Sequence, residues 1–177
     1  NLKLEITGLL FIDTPGHAAF TNLRKRGGSL ADIAIVVIDI NEGIKPQTAE
    51  VLQILKVNKT PFIVALNKID NISGWRKSEN NYSFESVESQ AINVKTNFEE
   101  KYYTLVGAFN AYGFNPELYY KIKDFTQNLA VVPTSAKTGE GINELLAMLA
   151  ALSQKFLNER ICVQDEAHGV VLEVKKE

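Results

Sequence analysis

Phe62-Ile63-Val64-Ala65-Leu66-Asn67-Lys68-Ile69-Asp70 opens as an unbroken apolar run and closes in a polar quartet. A run that does not alternate suits a strand buried on both faces, as in a parallel sheet. Residues 9–12, 33–38 and 129–132 have the same character, rich in Val, Ile and Leu. Helical patterns lie between them. Pro46 can open one helix at its first turn, where its missing N–H costs nothing, and that helix would carry Val51, Leu52 and Leu55 inward. A second, at 142–157, has Leu145, Leu149, Leu152 and Phe156 at helical spacing, with Gly139 and Gly141 breaking the chain before it. Strands alternating with helices predict an α/β fold built on a mostly parallel sheet.

Three stretches fall outside this rhythm. Leu2, Leu4 and Ile6 alternate with polar residues before Thr7-Gly8, which predicts an edge strand in a hairpin with 9–12. Residues 71–128 form a long insertion. In it Val87, Ala91, Val94, Phe98, Tyr102, Leu105 and Phe109 predict one long amphipathic helix, ended by Gly113 and Pro116, with a shorter helix through Leu118 and Ile122. Such an insertion also fits a surface excursion that only packs on the sheet. Residues 168–176 alternate again and read as the first strand of a further β domain.

The chain has 177 residues, 45% hydrophobic and 23% charged, with a formal net charge of −2. That composition suits one globular domain and argues against a protein that coats nucleic acid with its whole surface. Arg24-Lys25-Arg26 is the best basic cluster, and on sequence alone a solvated helix end is the favoured reading of it. The single cysteine, Cys162, excludes an intrachain disulfide and fits a reducing compartment. No apolar run approaches the roughly 18 residues of a membrane span. The expectation is a cytoplasmic protein.

Three motifs follow strands. Asp13-Thr14-Pro15-Gly16-His17 comes after 9–12 and places a carboxylate at the C-terminal edge of a sheet, where open α/β folds bind ligands. Asp13 there can hold Mg²⁺ through water, Gly16 can bring its N–H to a terminal phosphate, and His17 would face an attacking water. Alone, the motif is also an ordinary Pro-Gly turn. The quartet Asn67-Lys68-Ile69-Asp70 is the second. The Asp70 carboxylate can accept from the ring N–H and exocyclic amino group of guanine together, whereas adenine presents no such donors. The Lys68 stem can lie along the base, and Asn67 can tie the loop to its neighbours. A polar turn is the competing reading. Third is Ser135-Ala136-Lys137, after 129–132 and Pro133-Thr134. The Ala136 N–H can bond the guanine carbonyl and Ser135 can brace Asp70. Each motif alone is modest. Their order, each at a strand end, points to guanine-nucleotide recognition.

In that order the motifs resemble those of the Ras-like GTPases, and His17 after Gly16 resembles the translational branch, where Ras-type proteins carry Gln. Residues 20–28, Asp39-Ile40-Asn41-Glu42-Gly43, Pro46-Gln47-Thr48 and the insertion opening with Gly74-Trp75-Arg76-Lys77 are similar to the archaeal and eukaryotic initiation factor 5B branch of the translational GTPase family. Gly-Glu-Gly-Ile at 139–142 leans toward an archaeal source.

This resemblance implies a Ras-like P-loop GTPase fold, an α/β sheet with helices on both faces. Residues 1–160 would be a partial GTP-binding domain with its insertion at 71–128, and 161–177 a linker and first strand of a following β-barrel domain. It implies GTP or GDP with Mg²⁺ as cofactors. Asp13, Thr14, Pro15, Gly16, His17, Asn67, Lys68, Asp70, Ser135, Ala136 and Lys137 would bind them, with Asp13 toward the metal and His17 catalytic. Partners would be the ribosome, through ribosomal RNA near the GTPase centre, and initiator tRNA through other domains, with no DNA and no membrane. Loss of the γ-phosphate would release the segment after Gly16. The family's Gly-x-x-x-x-Gly-Lys-Ser/Thr loop, its strand and the first switch are missing, and no Gly is followed by Lys. The expectation is therefore a fragment that folds poorly and hydrolyses little GTP alone. Its sheet should be split between 9–12 and 62–66, with unpaired edges.

Overall fold

The computed structural model describes residues 8–14 and 31–156. Its centre is a four-stranded parallel sheet of β1 (Ala34–Asp39), β2 (Phe62–Asn67), β3 (Pro116–Leu118) and β4 (Leu129–Pro133), in the order β1-β2-β4-β3. Four helices accompany it: α1 (Pro46–Asn58), α2 (Ser83–Glu88), α3 (Ile92–Ala111) and α4 (Ile142–Phe156). Ala34 pairs with Phe62 and the register runs to Asp39 opposite Asn67. Leu66 lies opposite Pro133. The C-terminal ends of three strands therefore share one edge, and the polar segments that follow them emerge side by side.

Strand alternation divides the core in two. Val36, Ile38, Val64, Leu66 and Val131 face α1 and α3, meeting Leu52, Leu55, Phe98, Leu105 and Phe109. Ile63, Ala65, Ala130 and Val132 face α4, meeting Leu145, Leu149 and Leu152. Pro46 sits in the first turn of α1, as expected from its missing N–H. Val51 packs against the first cluster from a partly buried position.

The structure corrects three expectations. Residues 9–12 join no strand, and Leu9, Leu10, Phe11 and Ile12 are all exposed. An apolar run becomes a strand only where a neighbour offers its hydrogen-bonding edge, and among the described residues β1 pairs with β2 alone. The expected long helix is two helices, interrupted between Glu88 and Ile92, with Ala91 exposed as the N-cap of α3. The expected helix through Leu118 and Ile122 is instead strand β3, followed by a short 3₁₀ helix at Tyr119–Lys121. Pairing of Pro116 to Leu118 with β4 outweighs the helical spacing of two apolar side chains. The hairpin strand at Leu2, Leu4 and Ile6, the cluster Arg24-Lys25-Arg26, Cys162 and the strand at 168–176 lie outside the described residues.

Residues 71–128 are thus no surface excursion. They supply an edge strand and about half of one core layer, and Phe98 and Phe109 are both 0% exposed. Phe98→Ala is expected to lower unfolding free energy by about 3–5 kcal/mol, read from the urea midpoint. A loss under about 1 kcal/mol would return this helix to the periphery.

Candidate functional site

The shared strand edge gathers two polar segments, one after β2 and one after β4. Thr134 N–H donates to Leu66 O at 2.8 Å and Ile69 N–H to Thr134 O at 3.3 Å, so the backbone stitches the segments together. Side chains add two links. Ser135 Oγ donates to Asp70 Oδ1 at 2.7 Å. Ala136 N–H donates to Asn67 Oδ1 at 3.0 Å. Asn67, Asp70, Ser135 and Ala136 are therefore one connected group, although 65 residues separate Asp70 from Ser135. Lys137 is exposed beside them.

Lys68 has φ of +65°, a left-handed conformation uncommon outside glycine. It begins the tight turn into the 3₁₀ helix Ile69–Asn71, which buries Ile69 completely and leaves Asp70 at the surface edge. Its Nζ lies 2.8 Å from Asp39 Oδ2, with the Lys68 side chain 52% exposed and that of Asp39 15% exposed. Asp39 also accepts from Asn41 N–H at 2.8 Å. Burial pushes the Asp39 carboxyl up, but hydrogen bonds from Lys68 and Asn41, with the Lys68 charge, outweigh it and hold it below its ordinary 3.8. The hydrogen bond to Asp39, reinforced by its charge, raises the Lys68 ammonium above its ordinary 10.5. The pair is present above the usual carboxylate range; it is lost in acid as pH falls through the depressed Asp39 pKa, and in strong base as pH rises through the raised Lys68 pKa.

Sequence reading missed Asp39 as a partner, although an acidic residue directly after an apolar run had already singled out Asp13. It also missed Glu140. This carboxylate is 0% exposed. Oε1 accepts from Trp75 Nε1–H and from Ser78 N–H, each at 3.3 Å. Oε2 accepts from Thr138 Oγ1–H at 2.5 Å. The Glu140 carbonyl accepts from Ser135 N–H at 2.9 Å, and Gly139 N–H donates to Ser135 O at 2.8 Å, so residues 135–140 form a closed loop.

Asp13 and Thr14 are exposed at the end of residues 8–14, while Pro15, Gly16 and His17 lie outside the described residues. Among the described residues no three His, Cys, Asp or Glu side chains gather as a metal centre. A lone carboxylate such as Asp13 still fits Mg²⁺, which keeps several waters and takes phosphate oxygens rather than demanding an all-protein cage. A cavity of about 300 Å³ lies at the opposite end of the strands, lined by Phe62, Phe114, Phe125, Leu129 and Lys59, and shares no residue with this site.

A parallel sheet with two stitched loops at its carboxyl edge is the framework on which open α/β domains bind their ligands. Residues 2–155 match the Elongation factor Tu GTP binding domain family, and the chain belongs to that family. In particular, it is 51% identical, across 100% of its length, to a probable translation initiation factor IF-2 from Methanopyrus kandleri, and 55% identical, across 99%, to that of Sulfolobus acidocaldarius. It covers 30% and 29% of those two proteins, and so spans under a third of their length. Among solved structures, GDP-bound aIF5B from Aeropyrum pernix is 50% identical and superposes with a TM-score of 0.84, over 93% of this chain and 28% of that one. The apo form of translation elongation factor SelB from Methanococcus maripaludis, 23% identical with a TM-score of 0.52 over 80% of this chain and 24% of that one, shares the fold.

Proposed function

We propose that the protein carrying this chain is an archaeal-type translation initiation factor that binds GTP and GDP, hydrolyses GTP on the ribosome, and promotes subunit joining and placement of initiator tRNA. The observation behind this is the Ser135–Asp70 hydrogen bond, which joins the two base-reading segments at the sheet edge. Asp70 retains a second carboxylate oxygen with which to receive the two donors of guanine. The Ala136 N–H, already donated to Asn67, would be shared with the guanine carbonyl. The Lys68 stem would lie along the base, anchored at its tip by Asp39.

In this reading Asp13 holds Mg²⁺ through water, and the ion would neutralise charge on the phosphates. Thr14, Pro15 and Gly16 line the γ-phosphate, His17 orients the attacking water, and Lys137 flanks the base. Arg24, Lys25 and Arg26 meet ribosomal RNA, and the working compartment is the cytoplasm. The relatives' names and the match to a GDP-bound neighbour support this reading.

The test uses the full-length protein. Labelled GDP should bind and be displaced by unlabelled GTP but not by ATP. His17→Ala should keep GDP affinity within about twofold and lower ribosome-stimulated GTP turnover by about 10²-fold or more. Guanine-selective binding without turnover in the unaltered protein would instead identify a non-catalytic binding module. Equal displacement by ATP would overturn the base assignment.

A further inference from the structure

The 71–128 segment meets the base-reading loop at the buried Glu140 carboxylate. Trp75 reaches Glu140, and Glu140 closes the loop that contains Ser135 and Ala136. A buried carboxylate is tolerated only when it is well hydrogen-bonded. Thr138 supplies one donor from within the loop. Trp75 and Ser78 supply the donors from outside it.

Those outside donors are themselves fixed. The Trp75 ring lies 6.2 Å, centroid to centroid, from that of fully buried Phe98 on α3. Gln90 clamps the next residue, accepting from Arg76 N–H at 2.9 Å and donating to Arg76 O at 2.7 Å. Gly74 takes φ of +83°, and a Cβ there would stand 3.0 Å from Val94 of α3. The path from helix to base-reading residue is continuous: Phe98, Trp75, Glu140, Ser135, Asp70.

We infer that Trp75 and Glu140 are positioning residues for guanine: the segment after Asp70 acts as a latch that holds the Ser135–Glu140 loop in register with Asp70. The inference rests on the reading of this edge as the guanine site. A latch of this kind acts on how long the base is held and not on the chemistry at the phosphates.

In the full-length protein, Trp75→Phe keeps an aromatic ring at Phe98 and removes the N–H together with the pyrrole part of the indole. It should speed GDP release about tenfold and raise the KM for GTP, with kcat at saturating GTP and the urea midpoint near those of the unaltered protein. In a double-mutant cycle with Glu140→Gln, the combined effect on GDP release should fall short of the product of the two single effects. Unchanged GDP release in Trp75→Phe, or fully multiplicative effects in the cycle, would overturn the latch. Faster release matched by an equal fall in kcat would also overturn it. Asp70→Asn separates the two levels. If that variant turns toward xanthine nucleotides while Trp75→Phe does nothing, the guanine site stands and the latch fails. If neither changes base preference or release, the guanine site itself is misplaced.

Discussion

Asp70→Asn in the full-length protein is expected to weaken GDP binding by about 10³-fold and to make xanthosine diphosphate the preferred ligand. A site built around specific hydrogen bonds rejects an analogue that leaves them unmade by several orders of magnitude. The Asp70 carboxylate has two acceptor oxygens and no donor. Ser135 Oγ–H occupies Oδ1, which fixes the rotation of the group and turns Oδ2 into a directed acceptor. An amide in its place offers one acceptor oxygen and one donor nitrogen. The donor faces the amino group of guanine, donor against donor, but matches the second carbonyl of xanthine. Competition of unlabelled GDP and xanthosine diphosphate against a fluorescent nucleotide reads the switch. Retained guanine preference would mean that Asp70 does not contact the base.

The second large effect is on stability. Gly141 has φ of +74°, and a Cβ built on it would sit 2.0 Å from the Pro133 carbonyl oxygen and 3.2 Å from the Ser83 Cβ. Its N–H donates to Asn81 O at 2.9 Å, so the backbone cannot rotate away without breaking that bond. Gly141→Ala therefore combines a strained backbone with a clash against the last residue of β4. The expected loss is about 4 kcal/mol or more, enough to unfold a domain of ordinary stability. Gly139→Ala is the internal comparison. It also has positive φ, at +84°, but no heavy atom lies within 4 Å of its built Cβ. Its cost should be near 1–2 kcal/mol, from backbone strain alone. Urea denaturation of both variants distinguishes the cases. Equal losses would show that the Pro133 contact is relieved by a small backbone shift.

Legibility followed sequence distance and local pattern. The three buried strands could be read because apolar runs need no knowledge of their partners. Helix α1 announced itself through Pro46, and α4 through Leu145, Leu149 and Leu152. The Ser135–Asp70 brace and the tie made by Asn67 were readable from residue types at strand ends. The Asp39–Lys68 pair was not, because it depends on register: Asp39 stands opposite Asn67 only once β1 and β2 align. Glu140 and Trp75 were invisible as partners for the same reason, 65 positions apart in the chain. The interruption before α3 went unseen because Val87, Ala91 and Val94 keep helical spacing across it. Residues 9–12 were misread because an apolar run reports a wish to be covered, and whether a neighbouring edge exists to cover it is a tertiary matter.

The order of strands has a kinetic consequence. β1 and β2 are separated by one helix, and their pairing closes a modest loop. β2 meets its other neighbour, β4, only across the whole of α2, α3 and β3. On a growing chain, half the sheet can assemble while the rest is still unmade, and Asp39 can find Lys68 at that early stage. Ser135 cannot meet Asp70 until synthesis has passed β4. Closing so long a loop is slow relative to local pairing. The contact that orients the acceptor at Asp70 consequently forms after the pairing of β1 with β2, so the polypeptide begins its sheet before it becomes selective.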